Sequence, residues 1–152
     1  MPLIQKSTIR VLASHGVNEK HLSSLNSSSA SLRAHSLRKL FSSTKIPQAK
    51  RAIPIYAKIM LKDPNPLVQR AALEVLLKLG RSEGFSRLEE DISRTKKIGP
   101  ILNFMDKTMD GMNIEGLNKM RDIIQNNIVP RMTSGEIKIT QKQFNQLVLM
   151  TL

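Results

Sequence analysis

The sequence predicts an all-α chain, arranged as a short stack of antiparallel helical hairpins, with an irregular helical bundle as the alternative. Apolar residues recur at helical spacing along most of the 152 residues, strand patterns are scarce, and Gly, Pro, Ser and Asn separate the amphipathic stretches. With 40% hydrophobic residues, a chain of this length can bury a core without metals or crosslinks. We therefore expect a single all-helical domain over 1–152.

Two regions differ within that domain: a basic, serine-rich N-terminal third (1–51) and a helical-hairpin region (47–130). Helices are predicted over about 3–15, 18–25 and 30–42. The next begins at Pro47, because proline suits the first helical position, and reaches about residue 62. We expect it to bend at Pro54, where the ring removes a backbone donor.

The clearest predicted helix lies between Asn65, a capping residue, and Gly80, which suits a left-handed C-terminal position. Pro66 opens it, and one face is apolar, with Val68, Ala71, Ala72, Val75, Leu76 and Leu79 at helical spacing.

Beyond Gly80 the pattern predicts three more helices, a loop, a brief strand and a final helix. The helices span about 82–97, 100–110 and 113–128, with Ser82 and Asn113 as caps; the loop covers 133–135 and the strand 136–140. Thr140 with Gln143 resembles a capping box that opens the last helix.

A shift of 36 residues places Leu32 over Val68, Leu37 over Leu73 and Leu40 over Leu76, which indicates repeated helical hairpins. The stretch from Ala52 to Gly80 resembles one HEAT repeat. The resemblance rests on a first helix bent by Pro54, the turn Asp63-Pro64-Asn65-Pro66, and the packing run Ala71-Ala72-Leu73 after Val68. Arg70 fits the family pattern, Gln69 departs from it, and the flanking copies are degenerate.

The resemblance implies a scaffold that binds protein or nucleic acid along a concave face, in a family that is overwhelmingly non-enzymatic. Charge points to similar partners, since 24 Lys and Arg oppose 12 Asp and Glu, for a net charge of +12. Residues 1–51 hold nine of these bases and one acid, Glu19. Such a field attracts nucleic acid, anionic lipid or acidic protein surfaces.

The N-terminal third is also typical of a mitochondrial targeting segment, because it is rich in serine and basic residues and poor in acids. A helical projection places Ile4, Val11 and Leu12 on one side, with Lys6 and Arg10 roughly opposite. The alternative is an ordinary first helix with a solvated basic face. The predicted location is the mitochondrial matrix, with the cytoplasm as the alternative.

Several chemistries lack their residues. The chain has no cysteine, and His15, His21 and His35 stand at intervals that do not place two ligands on one helical face. No glycine loop matches a phosphate or dinucleotide motif, and no nucleophile context is recognisable. We therefore predict no enzyme, no catalytic residues, no metal, no cofactor and no small-molecule substrate.

Contacts with nucleic acid are expected to go to phosphates, because Phe41, Tyr56, Phe85 and Phe104 fall on apolar stripes and are not available for base stacking. The alternative is a freely solvated charged face. The predicted phosphate contacts are Arg33, Arg38, Lys39, Lys45, Lys50, Arg51, Lys58 and Lys62.

Methionines in the C-terminal half predict a plastic protein interface formed by Met105, Met109, Met112 and Met120, with core filling as the alternative. The leading hypothesis is a structural component of a ribonucleoprotein assembly, specifically a mitochondrial ribosome, with RNA and other protein subunits as partners. The alternative is a helical protein adaptor without nucleic acid. A membrane partner is not expected, since no apolar run reaches the ~18 residues of a span.

Overall fold

A computed structural model describes residues 2–152, apart from the side chains of residues 48 and 49, and this part of the chain is all-helical without strands. The predicted fold class is thus confirmed. The helices are α1 (Lys6–Ser14), α2 (Glu19–Ser24), α3 (Ala30–Ser43), α4 (Pro47–Lys50), α5 (Ala52–Met60), α6 (Pro66–Lys78), α7 (Ser82–Arg94), α8 (Gly99–Met109), α9 (Ile114–Ile123), a π-helical turn (Ile124–Ile128), α10 (Val129–Thr133) and α11 (Gln141–Thr151).

The chain divides into two compact units, a first unit over Met1–Leu79 and a second over Gly80–Leu152, where the sequence predicted one domain. The division falls at the end of α6, beyond the change in composition near residue 51. Gly80 follows α6 with a φ of +70°, a left-handed conformation that glycine adopts without steric cost.

The core of the first unit forms where α3 packs against α6. Leu37 and Leu40 of α3 and Ala72 and Leu76 of α6 are buried. The small side chain of Ala72 allows close approach of the neighbouring helix. Helix α5 packs on both α3 and α6, α2 packs on α3, and α1 packs on α2.

Helices α3 and α6 begin 36 residues apart, at Ala30 and Pro66, which agrees with the offset found in the sequence. Their caps obey the same spacing, since Ser29 accepts a hydrogen bond from the Leu32 amide (3.3 Å) and Asn65 from the Leu67 amide (2.9 Å). The HEAT resemblance itself stays a prediction.

The region around Pro54 differs from the expected single bent helix. Two helices occupy it, α4 and α5, and they meet at Arg51. Pro54 is the third residue of α5, where a backbone N–H has no partner within the helix. The ring also crowds the carbonyl four residues earlier, at Lys50, so the chain starts a new helix at this point.

The second unit is built on α7, α8 and α9, with α8 packed on α9 and α11, and α7 packed on α9 and the π turn. Arg131 of α10 fastens the end of α7, because its guanidinium donates to the carbonyls of Ile92 (2.6 Å) and Thr95 (2.7 Å). These carbonyls lie at the C-terminal end of α7, where the Ile92 carbonyl also accepts from the Thr95 amide (3.3 Å).

Three local predictions in the second unit need correction. Arg81 occupies the cap position of α7, and Ser82 is the first helical residue. The segment 136–140 is not a strand: Ile137 is buried, yet no neighbouring strand pairs with this segment in the described chain. Helical structure also continues beyond the predicted end at 128 and through Pro130. The Val129 amide donates to the Ile124 carbonyl five residues earlier, in a wider π turn that accommodates the proline.

Burial along α6 gives a direct test of the core. Leu76 is 1% exposed and Leu67, on the same helix, is 58% exposed. We expect Leu76→Ala to lower the free energy of unfolding by about 2–5 kcal/mol, because it removes buried methyl groups and leaves a cavity. The matched control, Leu67→Ala, should lower it by less than about 0.5 kcal/mol. Urea unfolding followed by circular dichroism measures both, and equal losses would contradict the packing of α6.

Candidate nucleic-acid interface

Positive charge is concentrated in the first unit. Residues 1–79 contain 13 Lys and Arg against three acids, which is +10, whereas residues 80–152 contain 11 against nine, which is +2. The three acids of the first unit are Glu19, Asp63 and Glu74. A polyanion is therefore attracted mainly to the first unit.

Arg33, the first of the predicted phosphate contacts, is already hydrogen-bonded to other groups of the protein. Its guanidinium donates to both carboxylate oxygens of Asp63 (3.1 and 3.0 Å) and to the Ser27 carbonyl (2.9 Å). Both side chains are mostly buried, with 16% and 13% of their surfaces exposed. Asp63 also accepts from the Asn65 amide that precedes α6. Arg33 thus joins α3 to the α5–α6 turn and is not available to RNA.

Arg38 is partly occupied as well. Its Nε lies 2.7 Å from Oε2 of Glu74, while the Lys78 Nζ lies 3.5 Å from the other oxygen of the same carboxylate. This pair joins α3 to α6. The Arg38 side chain keeps 45% of its surface exposed, so phosphate could approach it only in competition with Glu74.

The other six predicted contacts are exposed: Lys39, Lys45, Lys50, Arg51, Lys58 and Lys62. Within the described chain, no carboxylate lies at ion-pair distance from any of them. These six predicted contacts can therefore bind a phosphate without first breaking an ion pair within the protein.

Five of these six cations fall into two separate groups, and the sixth, Lys39, lies on α3. Lys45, Lys50 and Arg51, here called the junction cations, lie where α3, α4 and α5 succeed one another. Lys58 and Lys62, here called the groove cations, lie toward the opposite end of α5. At 1.5 Å per helical residue, Arg51 at the start of α5 and Lys58 near its end are separated by about 10 Å along the helix. The single convergent surface expected from the sequence is therefore divided along this helix.

The groove cations line an open groove of about 720 Å³ at the α5–α6 turn. Apolar side chains from the N-terminal segment and α5, including Leu3 and Ile59, line it as well. Asn26 holds the N-terminal segment in place, since its amide exchanges two hydrogen bonds with the Ile4 backbone (2.9 and 2.8 Å). Ile4 is buried, but Val11, expected on the same apolar side, is exposed.

A third basic group, here called the histidine cluster, consists of Lys20, His21, His35 and Lys39. The rings of His21, on α2, and His35, on α3, have centroids 6.3 Å apart in an edge-to-face arrangement. Burial, and then the charges of His35, Lys20 and Lys39, lower the pKa of His21 below 6.5. Sequence reasoning missed this cluster because it looked for histidines sharing one helix, whereas these belong to two packed helices.

The aromatic residues are placed much as expected. Phe85 is buried, with Lys119 over its ring at 5.3 Å from the centroid, and Phe41, Tyr56 and Phe104 are half-buried. Burial also raises the pKa of Tyr56. Phe144, in the second unit, is 45% exposed. The basic first unit therefore offers phosphate contacts in preference to stacking platforms.

The methionines predicted as a protein interface lie mainly inside the second unit. Met105 and Met120 are 0% exposed, Met112 is 8% exposed, and Met109 is half-buried. They fill the core among α8 and α9, where unbranched side chains fit irregular spaces. This placement corrects the interface prediction, because buried side chains cannot present a docking surface.

Comparison with protein-family models, with curated proteins and with solved structures finds no match for this chain. Among the described residues, no helix is both long and apolar enough to cross a bilayer. The described residues also contain no group of three or more His, Asp or Glu side chains positioned to hold a metal ion. Functional conclusions therefore depend on the geometry and the charge of the chain.

The two arginine pairs allow a matched test of structural roles. Arg33→Ala should lower the free energy of unfolding by about 2 kcal/mol or more, because it leaves the mostly buried Asp63 carboxylate without its partner. Arg38→Ala removes the same charge from a more exposed pair and should cost less than about 1 kcal/mol. Urea unfolding compares the two variants. Equal losses would show that Arg33 does not fasten the α5–α6 turn.

Proposed function

We propose that this chain is a non-enzymatic structural component of a ribonucleoprotein assembly, specifically a mitochondrial ribosome, and that its first unit binds RNA phosphates. The observation that supports this function best is the net charge of +10 on residues 1–79, together with the exposure of the junction and groove cations. A surface that is merely solvated does not require a large excess of positive charge, because the second unit is also solvated and has a net charge of only +2.

The chemistry of the exposed cations favours backbone contacts. Lysines make flexible point contacts with phosphate oxygens, and each neutralised phosphate releases condensed counterions. Half-buried aromatic side chains in the first unit give little base stacking. Recognition would then depend on the spacing of phosphates along an RNA backbone, because positions about 10 Å apart along α5 contact different parts of that backbone.

The salt dependence of RNA binding tests this proposal. A short fluorescent oligouridylate should bind the full chain at low salt, and the logarithm of its affinity should fall linearly with the logarithm of salt concentration. Replacing Lys45, Lys50 and Arg51 by Gln should weaken binding and reduce the slope by about 0.7 for each lost phosphate contact. Fluorescence anisotropy measures both quantities.

The matched control removes three exposed cations from the second unit, with Lys96, Lys97 and Lys107 replaced by Gln. It changes the net charge equally and should alter the affinity by less than about twofold. An equal loss in both triple variants would mean that total charge alone governs binding. A flat salt response, or no binding at low salt, would refute the proposed function.

A second candidate function is a protein adaptor without nucleic acid, and the surface of α11 favours it. Phe144, Val148 and Leu152 follow one another at intervals of four residues and are 45%, 42% and 82% exposed. Residues at this spacing share one helical face, and an exposed apolar face is typical of a protein contact. This face takes the place of the buried methionines in the interface hypothesis.

The two candidate functions predict different partners, protein or RNA, when variants of the chain are purified from the native source. If the adaptor is correct, replacing Phe144 and Val148 by Ser removes co-purifying proteins, and replacing Lys45, Lys50 and Arg51 by Gln does not. Replacing Lys142 and Asn145 by Ser, on exposed polar positions of α11, is the control and should leave the partners bound. RNA recovered with the wild-type chain, and lost only in the lysine and arginine variant, would reject the adaptor.

A further inference from the structure

The histidine cluster is a compact group of basic side chains on two packed helices. His21 is half-buried on α2, His35 is exposed on α3, and their rings meet edge to face with centroids 6.3 Å apart. Lys20 and Lys39, both exposed, lie close enough for their charges to act on His21. The two packed helices therefore bring four basic side chains together, although the four do not share one helical face.

No carboxylate is among the groups that act on His21. Glu19 lies two residues earlier on α2, and positions two apart project to nearly opposite sides of a helix. On α3, Arg33 is bound to Asp63 and Arg38 to Glu74, so these acids are already paired with other cations. On the α1 side, the charged groups are Lys6 and Arg10, with His15 just beyond the helix.

An anion suits this environment and a cation does not. The charges of Lys20 and Lys39 repel a metal ion, whereas they attract phosphate, to whose oxygens imidazole N–H groups can donate. The position also adjoins the junction cations in sequence, because Lys39 and Lys45 bracket the last turn of α3.

We propose that Lys20, His21, His35 and Lys39 form a phosphate-binding site whose affinity for the RNA backbone increases as His21 takes up a proton. This inference rests on the proposed function and adds a form of regulation to it. The lysines would hold the phosphate at all physiological pH values, and the His21 imidazolium would add its charge to theirs as the pH falls.

The direction of the pH effect follows from linkage. In the free protein, burial and the charges of His35, Lys20 and Lys39 oppose protonation of His21, so its pKa lies below 6.5. A bound phosphate supplies a negative charge that favours the imidazolium and raises this pKa. Since the bound state takes up protons more readily than the free state, binding tightens as the pH falls below the pKa of the bound state.

A short oligouridylate is the suitable probe, because neither its phosphodiesters nor uracil takes up a proton between about pH 5.5 and pH 8. At constant ionic strength, the full chain should bind it about fivefold to tenfold more tightly at about pH 5.5 than at about pH 8. Replacing His21 and His35 together by Gln should reduce this pH dependence to less than about twofold. His15→Gln, a change outside the cluster, should retain it.

NMR of the wild-type chain provides a second measurement that needs no variant to fold. The pKa of the His21 ring should rise when oligouridylate is added, and an unchanged or lowered value would overturn the inference. Binding that is equally tight at both pH values would overturn it too, while salt-dependent binding at about pH 8 would leave the proposed function intact. Absence of binding at both pH values would refute both.

Discussion

The packing of α3 against α6 is the constraint on which the first unit depends. Apolar side chains such as Leu37, Leu40 and Leu76 bury the contact, and two arginine pairs fasten the same elements from outside the core. Arg33 reaches Asp63 at the α5–α6 turn, and Arg38 reaches Glu74 on α6. These pairs use two of the three acids in residues 1–79. Asp63 and Glu74 are therefore already paired, and Glu19 is the acid of residues 1–79 that remains for the other cations.

The remaining charge follows from this arrangement. The junction cations, the groove cations and the histidine cluster stay exposed or half-exposed, and α5 separates the first two groups along its length. The helix holds Lys58 at a fixed separation from Arg51 at its start. The second unit has nearly balanced charge, and its helix α11 exposes apolar side chains such as Phe144 and Val148.

The sequence was sufficient for the fold class and for most helix boundaries, because caps and prolines act locally. Asn65, Pro66 and Gly80 delimit α6 as expected, and Thr140 forms the predicted capping box with Gln143. The brief strand at 136–140 was wrong, because alternation alone does not supply a partner strand. The sequence did not predict that the helix divides at Arg51, because a proline such as Pro54 can either bend a helix or stand at the start of a new one.

The candidate site was less predictable, because pairing between distant residues decides it. Counting charges identifies Arg33 as basic, but only the fold brings Asp63, 30 positions later, to its guanidinium. Similarly, a methionine at helical spacing suits a groove or a core equally well, and Met105 belongs to a core. Lysines that do not lie near Asp63 or Glu74 are exposed, as expected, because the composition already shows that few acids are present to pair with them.

The central claim, that cations of the first unit face RNA, is tested most directly by the chemical reactivity of lysines. Acetylation of the full chain with and without bound RNA, read by mass spectrometry, gives the protection of each amine. We expect protection of Lys45, Lys50, Lys58 and Lys62, while Lys107, Lys138 and Lys142 of the second unit react as before. Uniform protection of both units, or protection confined to the second, would contradict it.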